Sequence, residues 1–148
     1  MLSIFSAEDG TLKIDGACHC GEITFEAELD LAKVGICHCD DCQALSASAF
    51  RTIAVAPEEG FEILTGTPKH YVKVGDSGNP RVQAFCADCG SGLYSCSTKE
   101  SPEAYNIRVG TIRQRGLLAP KFEFWTQSRL EWIKEIDGTA KFDQNPNA

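Results

Sequence analysis

The sequence predicts an all-β protein built of small sheets with little helix. Three observations carry that expectation. Apolar and polar residues alternate in several short runs, turn-forming residues cluster between those runs, and helical periodicity is nearly absent. In residues 21–28, Ile23, Phe25 and Ala27 alternate with polar neighbours, as a strand with one buried face requires. Residues 69–74 and 81–86 place Val72 with Val74, and Val82 with Ala84, on single faces. Between them Gly75-Asp76-Ser77-Gly78-Asn79-Pro80 is a dense turn signal, so the two runs are expected to pair as a hairpin. Residues 105–109 alternate again, and shorter strands are expected at 51–55, 61–64, 92–96 and 121–126. The stretch 41–49 offers a helical turn or two.

A chain of 148 residues is the size of one domain and long enough to bury a substantial core. With no internal repeat and no long linker, residues 1–148 are read as a single domain with a frayed tail at 143–148. The net charge of -7 and a pI near 4.9 repel phosphate backbones, so nucleic acid is not an expected partner. No segment has the length of a membrane span, and residues 1–9 lack the basic region of a secretory signal. The expected compartment is therefore cytoplasmic, where thiols stay reduced and eight cysteines argue for metal over disulfides.

The cysteines fall in three clusters, with Cys96 apart: Cys18-His19-Cys20, Cys37-His38-Cys39-Asp40-Asp41-Cys42 and Cys86-Ala87-Asp88-Cys89. Cys86 and Cys89, followed by Gly90, form a knuckle whose tight turn brings two sulfurs to one ion. Cys18 and Cys20 are the natural complement, because alternate residues of an extended segment point to one side. Cys18, Cys20, Cys86 and Cys89 then make a closed four-sulfur structural zinc site. Cys37, Cys39 and Cys42 offer only three sulfurs, with no fourth cysteine nearby in sequence. Three protein ligands and an open position are the pattern of a catalytic or substrate-binding zinc. Two zinc ions and seven thiolates leave the chain roughly three units more negative than its formal charge.

Other readings of these residues stay open. Cys39 and Cys42 could form a redox dithiol, although no βαβ pattern surrounds them. The middle cluster could equally be a second structural site completed by Cys96 or a histidine. His19 and His38 lie between ligands in extended chain and point the other way, so packing or hydrogen bonding is expected of them. Asp40 and Asp41 read as solvated loop acids, Cys96 as a buried inert thiol, and His70 as a strand residue without a partner.

With these clusters the sequence resembles the family of glutathione-dependent formaldehyde-activating enzymes, which shares its domain with a vertebrate centromere protein. The matching pieces are Gly16-Ala17-Cys18-His19-Cys20-Gly21, Cys37-His38-Cys39-Asp40-Asp41-Cys42 and Phe85-Cys86-Ala87-Asp88-Cys89-Gly90. A C-terminal set, Pro120, Trp125, Ser128-Arg129-Leu130, Trp132 and Ile136-Asp137-Gly138, is similar as well. The resemblance runs in order over about residues 10–143. It implies a small zinc-stabilised β fold, Mss4-like (β-tent), with one structural zinc on Cys18, Cys20, Cys86 and Cys89. It also implies a second zinc on Cys37, Cys39 and Cys42, where chemistry occurs.

The implied reaction joins glutathione, as co-substrate, with formaldehyde or a similar small aldehyde to give the S-hydroxymethyl adduct. It is classed as a carbon–sulfur lyase activity in reverse. The sequence departs from the family after Cys42, where members carry an arginine or two and a Ser/Thr-Gly-Ala step. Here the run is Gln43-Ala44-Leu45-Ser46-Ala47-Ser48-Ala49-Phe50, without arginine and with Ala47 in the glycine's place. Ser46, Ser48 and Arg51 are the remaining candidates for substrate contact, Arg51 as a partner for a glutathione carboxylate. A non-catalytic zinc module that binds a protein partner or senses thiols is the competing expectation.

Overall fold

The computed structural model describes residues 10–75 and 78–146. Readings that fell on residues 1–9, on 76 and 77 of the hairpin turn, and on 147–148 of the tail lie outside them. Ten strands form two sheets, with one α-helix among the described residues, so the all-β expectation holds. The strands are β1 Thr11–Ala17, β2 Thr24–Asp30, β3 Val34–Cys37, β4 Arg51–Pro57, β5 Phe61–Thr65, β6 Lys69–Val74, β7 Pro80–Phe85, β8 Gly92–Ser97, β9 Ala104–Arg108 and β10 Phe122–Phe124. Helix α1 is Asp40–Ser46, and short 3-10 segments fill several connections.

The smaller sheet has the order β1-β2-β5 and the larger one β10-β3-β4-β9-β8-β7-β6. All pairings are antiparallel except β10 with β3. β6 and β7 pair as the expected hairpin, Val74 opposite Pro80 and Val72 opposite Val82. Strand β1 and strand β3 had no clear signal. β3 is only four residues long, and β1 breaks its Leu12, Ile14 alternation at Gly16.

The period-2 rule sorts the larger sheet into two faces. Ala54, Ala56, Val82, Ala84, Tyr94, Cys96 and Ile107 are buried on one face, towards the smaller sheet's Ile14, Phe25, Ala27 and Leu29. Phe61 stacks on Tyr105 at 4.5 Å and meets Tyr94 edge-on at 5.1 Å, closing one end of this core. The opposite face carries the residues in between. Cys37 lies opposite Arg51, Ile53 opposite Arg108, Ser95 opposite Asn106, Gln83 opposite Ser95, and Lys73 opposite Arg81. Cross-strand partners share a face, so one polar surface runs from Cys37 to Lys73.

Strand β10 covers part of that surface through a close approach. A Cβ on Gly35 would stand 2.6 Å from the Phe122 ring, so the ring can lie there only over glycine. The pairing sets Phe124 opposite Cys37. Downstream, the Gln43 side-chain amide donates to the carbonyls of His38 (2.9 Å) and Ser128 (3.1 Å), tying the C-terminal segment to α1.

Candidate metal centres and the pocket beside them

Four cysteines meet at the junction of the two sheets. Cys18 and Cys20 follow β1, and Cys86 and Cys89 lie in the turn between β7 and β8. Each pair is followed by a glycine in the left-handed region, Gly21 at φ 83° and Gly90 at φ 80°, where other residues are strained. The sulfurs of Cys18 and Cys20 are 3.6 Å apart and those of Cys20 and Cys86 3.8 Å. Tetrahedral zinc–thiolate bonds of about 2.3 Å place sulfurs about 3.8 Å from each other, so the donor set fits that ion. The backbone N–H of Ile23 donates to Cys18 Sγ (3.3 Å) and that of Cys20 to Cys89 Sγ (3.5 Å), favouring thiolates. The Ser91 side chain and backbone, with the Cys20 N–H, hold Cys89 down at about 5.

The second group is Cys37, at the end of β3, with Cys39 and Cys42 around the start of α1. Their sulfurs lie within 4.8 Å of one another. Cys39 is the N-cap of the helix, and its Sγ accepts from the Cys42 N–H at 3.3 Å. Among the described residues no further thiol, imidazole or carboxylate joins the three. Cys96 alternates with Ser95 and faces the core, where burial pushes its thiol up. His38 is buried and turns its Nε2 to Glu123 Oε1 at 2.7 Å, with its ring edge-on to Phe50. Its other ring nitrogen, Nδ1, is buried without a partner among the described residues. His19 is exposed and held by its backbone to Ser91 Oγ, and His70 lies exposed on β6 opposite Ala84. Asp40 and Asp41 are exposed in the first turn of α1, with Asp41 bound to Lys73 at 2.9 Å.

The three sulfurs open into a cavity of about 180 Å³. Its lining is basic, with Arg51, Arg81, Arg108 and Lys73 beside Gln83, and Phe124 and Trp125 complete it. Gln83 Oε1 accepts from Arg51 (3.0 Å) and from Arg108 (2.7 Å), so one neutral amide orients two guanidiniums. The Cys37 thiol beside Cys42, with the charges of Arg51 and Arg108, holds Cys42 down at about 5 against its burial. Cys37, hydrogen-bonded to Cys42 and buried, is pushed up well beyond the ordinary thiol range. Burial and the like charge of Arg51 bring Arg108 down to about 9.

The sequence reading named Arg51 here but not Arg81, Arg108, Lys73 or Gln83. Their signal was the polar half of three alternating strands, β6, β7 and β9, which looks the same whether that half faces solvent or a pocket. Ser46 and Ser48 do not border the sulfur cavity. Ser46 donates to the carbonyls of Gln43 and Phe50 and lines a neighbouring groove of about 760 Å³. Ser48 lies in a shallow recess against Trp132.

A small β fold with one four-sulfur and one three-sulfur group defines a protein that could hold zinc at two places. The family model described as glutathione-dependent formaldehyde-activating enzyme matches residues 13–128, and the chain belongs to that family. Membership supports glutathione-dependent formaldehyde activation as the broad function. A comparison with curated proteins gave no match. Among solved structures, a Rhodobacter sphaeroides protein is similar in fold, with a TM-score of 0.55 and 22% identity. That match covers 73% of this chain and 98% of the other. Among the described residues no helix is long and apolar enough to cross a membrane.

Proposed function

We propose that the chain joins glutathione, or a similar small thiol, to formaldehyde or another small aldehyde, as a zinc-dependent carbon–sulfur lyase working in the bond-forming direction. The observation that carries this reading is the contrast between the two sulfur groups. One closes on itself with four donors; the other has three and faces a cavity. Cys18, Cys20, Cys86 and Cys89 would hold a structural zinc, and Cys37, Cys39 and Cys42 the second. Zinc at a three-thiolate site supplies a positive charge that keeps an incoming thiol deprotonated near neutral pH.

The chain's own residues do the rest. The Cys42 N–H donates to Cys39 Sγ, and Arg51 and Arg108 favour the thiolate form of Cys42. Phe124 and Trp125 supply the apolar part of the cavity lining beside the sulfurs. Confinement of thiol and aldehyde in one small space supplies the proximity that a reaction between two dilute reactants lacks. As sulfur adds to the carbonyl carbon, negative charge grows on oxygen, and the guanidiniums lining the cavity stabilise it. Residues 1–148 act in this reading as one zinc-binding domain. Its eight free cysteines suit a reducing, cytoplasmic setting, with neither nucleic acid nor membrane as partner.

Two substitutions test the assignment. Cys39→Ser removes one ligand of the three-sulfur group, while serine still caps α1. It is expected to abolish turnover and release one zinc with the fold intact. Cys86→Ser opens the four-sulfur group and is expected to unfold the domain, because structural zinc carries on the order of 10 kcal/mol of folding energy. Both variants folded and active would sink the two-site reading.

A further inference from the structure

The sulfur cavity holds more positive charge than its cysteines need. A zinc ion on three thiolates carries one net negative charge, against three guanidiniums from Arg51, Arg81 and Arg108. Among the described residues the ion pairs involve other side chains; no carboxylate stands within salt-bridge distance of these three, and Glu103 acts on Arg81 only at longer range. Their hydrogen-bond partners are neutral: Gln83, the Ser95 hydroxyl and the Asn106 carbonyl. Arg51 is 7% exposed, and its Nε is buried without a partner. One buried and two half-buried cations left this way in a chain of net charge -7 call for an anion from outside.

Size restricts what that anion can be. A cavity of about 180 Å³ is well below the roughly 300 Å³ at which pockets begin to enclose drug-sized ligands. The body of a tripeptide thiol does not fit in it. The adjacent groove of about 760 Å³ has that room, and Arg51, Gln83 and Arg108 form a wall common to both spaces. A peptide-sized thiol in the groove leaves the small cavity to the second reactant.

We infer that Arg51, Arg81 and Arg108 form a carboxylate site in the sulfur cavity, and that the aldehyde taken there is a small carboxylate-bearing one of the glyoxylate type. This rests on the thiol–aldehyde reading above. The thiol adds across the aldehyde carbonyl: a C–S bond forms, the C=O π bond breaks, and the thiol proton ends on the new hydroxyl. Nothing is oxidised or reduced. The carboxylate takes no part in the bond changes; it fixes the aldehyde carbon beside the sulfurs. Formaldehyde is uncharged and offers these arginines no anion to bind before the oxyanion develops.

The test is calorimetric titration of the purified full chain with glyoxylate, the neutral analogue glycolaldehyde, and mercaptoacetate, repeated on Arg81→Gln and Arg108→Gln. Arg81 is half-buried at the edge of the cluster, so its variant guards against a folding failure at the more enclosed Arg108. Glyoxylate is expected to bind one site per chain. Its affinity should fall roughly tenfold or more in each variant, the loss typical of one charge-assisted hydrogen bond. Glycolaldehyde is expected to show no comparable binding. Equal binding of glycolaldehyde, or glyoxylate affinity unchanged in folded variants, overturns the site. Saturation by mercaptoacetate but not glyoxylate would place the carboxylate on the thiol and overturn the aldehyde assignment. Arginine-dependent glyoxylate binding with no adduct formed from any thiol would keep the carboxylate site and remove the thiol–aldehyde reading beneath it.

Discussion

Ala47 closes helix α1 with φ 52° and ψ 41°, the left-handed geometry that glycine adopts freely. Its N–H reaches back to the carbonyls of Gln43 and Ala44, so the conformation is held by the cap. The family pattern has glycine at this step, and the backbone gives the reason. A Cβ in this region costs about 1–2 kcal/mol, partly offset in the unfolded chain by the greater freedom of glycine. Ala47→Gly should therefore raise stability by about 0.5–1 kcal/mol, read as a higher denaturant midpoint at unchanged slope; a lower midpoint would contradict the account.

Asp15 provides the pH-sensitive counterpart. It accepts from Arg113 Nη2 at 2.8 Å and Gln114 Nε2 at 2.7 Å, joining β1 to the turn after β9, and these bonds hold its carboxyl below 3.8. A depressed folded pKa adds stability above the unfolded value, and that stability disappears as pH falls through the folded one. The wild type should exceed Asp15→Asn in thermal stability near neutral pH, with the gap closing below pH 3.8. A gap independent of pH would show that the bonds act without the charge.

At the scale of elements, sulfur pairing was readable because it is local. A knuckle followed by glycine brings its two sulfurs together whatever the rest of the fold does, and Cys86-Ala87-Asp88-Cys89-Gly90 does so here. The hairpin β6–β7 was readable for the same reason. The strand expected at 121–126 forms as β10, but its place in the sheet was not legible, because its partner is β3, far away in sequence and parallel to it. The constraint sits on the partner, at Gly35. Gly35→Ala would push the Phe122 ring off its seat and loosen Phe124 and Trp125 over the sulfurs. The expected cost is about 1–2 kcal/mol, typical of small-to-large changes at a tight contact. Faster chelator removal of zinc from the three-sulfur group should accompany it, and an unchanged removal rate would show that β10 does not cover the site.

At the scale of the molecule, the charge balance misleads. A chain of net charge -7 reads as one that avoids anions, yet its arginines Arg51, Arg81 and Arg108 share one face of the larger sheet. Alternation in β7 and β9 told which residues were in phase. It could not tell that the polar phase faces a cavity, because the neighbours that enclose it come from β3, α1 and β10. The cysteine groups were thus visible in the chain, and the wall that faces them appeared only when distant strands were paired. The most direct test of the two-site account is zinc content per chain before and after mild chelation, with turnover of glutathione and formaldehyde measured on the same samples. The account predicts two zincs, one removed readily with loss of activity and one retained in a folded domain. A single inert zinc, or two that resist chelation equally, would contradict it.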